Sequence, residues 1–131
     1  MTIQQVYSSA EAVFGQPYVK LYWVPGSAFP GDGGTVPPGQ TLEITTITLN
    51  YFPKNKGKLG RADIAGRDAP DVGTGTSVWR LQIVYVEPKK TVHLTFPKAL
   101  RLEAGGHVEL GFVVEGPGTI TVDVNGVLVG P

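Results

Sequence analysis

The chain contains no cysteine and only two histidines and one methionine in 131 residues. Without cysteine there can be no disulfide, no thiolate metal centre and no sulfur nucleophile. An excess of either charge is also missing: eleven basic and eleven acidic residues give a formal net charge of +0. Nucleic-acid binding normally needs a cationic footprint that releases counterions from phosphate, so nucleic acid is not an expected partner. No apolar run approaches the length of a membrane span, so no membrane partner is expected. The first residues, Met1 to Val6, lack the basic-then-apolar order of a secretory signal, and none is expected.

Candidate chemistry is equally sparse. Ser8, Ser9, Ser27 and Ser77 are the serines, and none sits in a Gly-x-Ser-x-Gly elbow. Strand parity puts both His93 and His107 on polar faces. Glu43, Glu103, Glu109, Glu115 and Asp123 fall on outward strand positions or turns, where carboxylates serve solubility and edge protection. Asp63, Asp68 and Asp71 lie in a Gly-rich region, but their spacing does not match a twelve-residue calcium loop. The expectation is no enzyme, no cofactor and no metal.

Turn formers and alternation are what the chain has in abundance. Eighteen glycines and eleven prolines fall between apolar runs, as they do where short strands are joined by turns. From Ser77 to Val129 apolar and polar residues alternate with period 2. Trp79, Leu81 and Ile83 share one face; Arg80 and Gln82 share the other. The inward set continues through Val92-Leu94-Phe96, Leu100-Leu102, Val108-Leu110-Phe112 and Ile120-Val122-Val124. Thr41 to Phe52 changes phase between Ile44 and Ile47, which predicts a β-bulge near Thr45-Thr46. Leu59 to Ala65 reads as a weak strand. Asn125-Gly126 between valines predicts a type I′ hairpin that sets Val124 opposite Val127. The fold class is all-β: an antiparallel sandwich or barrel, jelly-roll-like, with about eight or nine strands.

Residues 1–39 read as an N-terminal arm, and 40–131 as the sandwich domain. In the front segment only Pro17 to Val24 looks like a strand, and Ser8 to Phe14 offers one helical turn. The rest, rich in Pro and Gly from Pro25 to Gly39, reads as an extended loop. Its aromatics crowd together, as interface anchors do. The candidate interface is therefore Tyr7, Phe14, Tyr18, Tyr22, Trp23 and Phe29, with the cationic loop Lys54, Lys56 and Lys58 facing an acidic partner.

The Pro/Gly-rich front, the cysteine-free β domain and the stretch from Thr91 to Gly106 (TVHLTFPKALRLEAGG) resemble small virion proteins of tailed bacteriophages. Within that group the chain is most similar to capsid decoration, or cement, proteins. The resemblance covers the general layout of the chain and rests on no diagnostic motif. It implies a homotrimer that sits on the capsid surface, clamps neighbouring subunits of the major capsid protein with its arm, and is made in the host cytoplasm. The alternative is a carbohydrate-binding β-sandwich module, in a tail, a fibre or elsewhere, stacking sugars on Tyr18, Tyr22, Trp23 or Trp79.

Overall fold

The alternating segments form two four-stranded antiparallel sheets packed face to face. The computed structural model describes residues 1–13, 15–29, 33–53, 60–85, 91–114 and 118–131. Its strands are β1 (Thr2–Val13), β2 (Val19–Lys20), β3 (Thr41–Pro53), β4 (Gly60–Arg67), β5 (Ser77–Tyr85), β6 (Thr91–Glu103), β7 (His107–Val114) and β8 (Gly118–Gly130). One sheet has the order β1-β8-β3-β6, the other β2-β7-β4-β5. The pairs β1·β8, β2·β7, β3·β6 and β4·β5 are those of one long hairpin folded about its middle. Winding that hairpin over adds β3·β8 and β4·β7, which complete the sheets.

The core follows the parity of the strands. Leu42, Ile44, Ile47, Leu49 and Tyr51 of β3 are all buried, because the register shifts between Ile44 and Thr46. The expected bulge thus returns both halves of β3 to one inward face. Val122 and Val124 of β8 meet Val108 and Leu110 of β7 in the same cluster, and Tyr51 packs edge-on against Phe112 at 5.6 Å. Transfer of this apolar surface from water is the main force joining the sheets.

Three expectations are corrected. The front segment is not an arm. Residues 2–13, including the stretch read as a helical turn, form a twelve-residue strand along β8, with Thr2 opposite Gly130 and Val13 opposite Thr119. Only Val19 and Lys20 of the expected strand Pro17–Val24 join a ladder. The segment beyond closes one side of the sandwich, burying Leu21, Trp23, Phe29 and Val36 in the core. Its backbone is tied by Leu21 N–H to Val108 O at 2.9 Å, Trp23 N–H to Gly33 O at 3.0 Å and Val36 N–H to Gly106 O at 2.8 Å. Apolar burial and satisfied backbone groups explain why Pro and Gly do not release it. No boundary falls at residue 39.

The second correction concerns Asn125-Gly126, which makes no hairpin. It lies inside β8, flanked by β1 and β3, with Asn125 opposite Tyr7 and Thr46. Here glycine serves close approach rather than a turn. A Cβ on Gly126 would stand 2.5 Å from the carbonyl oxygen of Glu43, beside the β3 bulge. The third correction concerns His107 and Glu109, which take the outward face expected of them but are buried there and not solvated.

Candidate functional site

Two groups of side chains stand out: a buried ionic cluster on the outer face of the β2-β7-β4-β5 sheet, and an exposed aromatic edge beside β1.

The cluster arises from register. With Val108 and Leu110 turned inward, His107, Glu109 and Gly111 turn outward, opposite Arg67, Ala65 and Asp63 of β4. On an open sheet these groups would be wet. The β4–β5 connection, residues 68–76, folds back over them, and Tyr18 lies across Gly111, where any Cβ would overlap its ring. His107 Nδ1 contacts the carbonyl oxygen of Ala69, and Nε2 lies 2.8 Å from Glu109 Oε1. A carbonyl only accepts, so the ring nitrogen is the donor in the contact between Nδ1 and Ala69 O. The same Oε1 accepts the Gly73 N–H at 3.0 Å. Arg67 Nε lies 3.1 Å away, near enough for ion pairing but poorly aligned for a hydrogen bond. Arg67 Nη1 donates to Gly75 O at 3.0 Å, and Lys20 Nζ donates to Pro70 O at 2.6 Å.

Asp63 forms the second half of the cluster. Its Oδ2 accepts the Tyr18 hydroxyl at 3.0 Å and lies 3.5 Å from Arg61 Nη2 and 3.6 Å from Arg80 Nη2. Burial pushes the Tyr18 phenol above its usual pKa, and the hydrogen bond and negative charge of Asp63 push the same way. The contacts of His107, Glu109, Arg67 and Lys20 run to the chain's own backbone in the 68–76 connection. The arrangement therefore acts as a clamp that holds this connection on the sheet. Among the described residues no group of three or more His, Asp or Glu is arranged to hold a metal ion.

Sequence parity missed the burial of this cluster because alternation reports which face a residue takes and not what later covers that face. Gly111 was the available signal. A glycine inside a strand marks the close approach of another group, here the Tyr18 ring.

The candidate interface residues separate sharply. Trp23 and Phe29 stack at 5.9 Å with both rings 2% exposed, so neither can anchor a surface contact. Tyr18 is half-buried and held by Asp63. Tyr7 and Tyr22 are 53% and 55% exposed and lie close together. Tyr7 and Val24 exchange backbone hydrogen bonds at 3.0 and 2.8 Å, and Ser8 Oγ donates to Tyr22 O at 2.7 Å. Exposed Val24 and Ile3 extend this apolar edge. Phe14, Lys54, Lys56 and Lys58 lie outside the described residues. A shallow cleft of about 380 Å³ opens over the β3 bulge, lined by Gln5, Val6, Thr45, Asn125, Gly126 and Val127, with no titratable side chain among them.

Comparison with protein-family models gives no match, and comparison with curated protein sequences gives none.

Proposed function

We propose that this chain is a non-enzymatic structural protein that attaches to a large protein shell and stabilises it, as the resemblance to phage decoration proteins implies. The observation that carries this reading is the edge made by Ile3, Tyr7, Tyr22 and Val24. There two tyrosines and two aliphatic side chains stand exposed on a backbone fixed by β1 and its bridge to Val24. Tyrosines held in this way anchor interfaces at low entropic cost. The rolled-hairpin strand order supports a jelly-roll reading, an architecture that viral capsid domains and lectins share.

In this proposal the clamp is a preformed edge and not a flexible arm. The partners are other copies of the chain and the major capsid protein at the virion surface. Several weak contacts engaged together then give firm attachment. A glycan-binding module needs exposed stacking aromatics. Burial of Trp23, the Tyr18–Asp63 bond, and the bond from Trp79 Nε1 to Arg101 O at 3.1 Å weigh against three of the four candidate rings. Cosedimentation with shells of the major capsid protein tests the proposal. Wild-type protein is expected to pellet with shells, and the Tyr7→Ser/Tyr22→Ser variant to stay in the supernatant. Equal pelleting of both would show that this edge does not attach the protein to the shell.

A further inference from the structure

Each sheet has two edges; β6 and β2 are protected against pairing with another strand, and β1 is engaged at one position. On β6, four residues (Phe96 to Ala99) stand against the single residue Thr45 between the pairs Thr46–Thr95 and Ile44–Leu100. That bulge carries Pro97 and Lys98, both of which discourage strand addition. The free side of β1 is bridged by Val24 at Tyr7. Strand β2 has only two residues. The fourth edge, β5, is nine residues long and contains neither proline nor lysine. Its register shift is confined to the end near Ser77, and no strand borders its outer side among the described residues. Its inward residues Trp79, Leu81 and Ile83 are only partly buried, whereas inward residues of β4 and β7 are fully so.

The side chains of β5 have a second property: they are self-complementary about Leu81. Antiparallel pairing of β5 with the β5 of a second copy, centred on Leu81, sets Trp79 beside the partner's Ile83. It also sets Val78 beside the partner's Val84, and Arg80 beside the partner's Gln82. Val78 and Val84, 56% and 58% exposed, would cover each other. Centring on Arg80 instead would oppose two like charges, and centring on Gln82 would set Arg80 against Val84. Only the Leu81 register satisfies both the apolar and the charged positions.

We infer that two copies of this chain join through β5, edge to edge across a two-fold axis, into one continuous eight-stranded sheet. Main-chain hydrogen bonds supply the attraction, and the Val78–Val84 and Arg80–Gln82 pairs fix the register. This contact does not depend on the shell-binding edge, where Tyr7 lies on β1 of the other sheet and Tyr22 follows β2, at the opposite end of the β2-β7-β4-β5 order from β5.

Sedimentation velocity over a concentration series tests it. Wild-type protein is expected to form species with an even number of 13.9 kDa chains. Gln82→Arg opposes arginines at two symmetry-related positions and is expected to weaken association about tenfold. Gln82 is exposed and lies opposite Asp63, so the substitution should leave the fold intact. The double exchange Arg80→Gln/Gln82→Arg restores a Gln–Arg pair and is expected to restore association. A wild-type monomer, a trimer, an even-numbered species indifferent to Gln82→Arg, or failure of the exchange to rescue would each overturn the inference. Shell cosedimentation is read separately, so failure of one proposal leaves the other measurable.

Discussion

Tyr18 shows how a single side chain on this sheet is used. Its ring covers Gly111 and its hydroxyl donates to Asp63, and burial followed by the Asp63 contact raises its pKa above the ordinary 10.0. A raised folded-state pKa contributes stability that is present below 10.0 and is lost as pH rises through the unfolded and then the folded value. Unfolding free energy from urea titrations should therefore fall on the alkaline side of 10.0, and part of that fall should vanish in Tyr18→Phe. An identical alkaline slope in both proteins would contradict this. Individual residues were legible in the sequence where alternation alone decided them. His93 is exposed as parity requires, bonded to Thr48 Oγ1 at 2.6 Å across β6 and β3. His107 has the same parity argument and the opposite outcome, because a connection nearly forty residues earlier in the chain roofs it. Parity carries no information about such distant cover.

At the level of elements, β3 and β8 teach opposite lessons about local signals. The phase change in β3 is a count of residues between buried positions, and any inward face must obey it, so the bulge could be read directly. Asn125-Gly126 is a conformational preference, which neighbouring strands can override. With β1 on one side and β3 on the other, β8 stays extended through it, and Gly126 fills the narrow space beside Glu43 O. Gly126→Ala should cost about 1–3 kcal/mol in urea unfolding, the usual penalty for overpacking. A change within about 0.5 kcal/mol, as expected for an ordinary surface site, would show that the close approach is not restrictive. The front of the chain joins the sandwich despite its prolines and glycines, because Val6, Leu21, Trp23, Phe29 and Val36 all enter the core. Deleting residues 1–24 should therefore abolish cooperative unfolding. It removes the twelve-residue strand β1 together with Leu21 and Trp23. A deletion variant with a normal thermal transition would contradict the assignment of this segment to the sandwich.

The molecule as a whole is a closed two-sheet body whose unusual polar groups are turned to its own construction. The His107–Glu109–Arg67 cluster holds the 68–76 connection, and Asp63 gathers Tyr18, Arg61 and Arg80. The all-β class and the inward set were legible from period-2 alternation, because burying one face of a strand imposes that pattern whatever the strand order. The exposed aromatics were less legible. Exposure of Tyr7 and Tyr22 and burial of Trp23 and Phe29 depend on where the front segment docks, which composition does not encode. As proposed, this body stabilises a shell through the Tyr7–Tyr22 edge, and the melting temperature of major-capsid-protein shells with and without added protein tests this most directly. A higher shell melting temperature with wild-type protein, and none of that gain with Tyr7→Ser/Tyr22→Ser, is the predicted result. An unchanged shell melting temperature at saturating wild-type protein would contradict it.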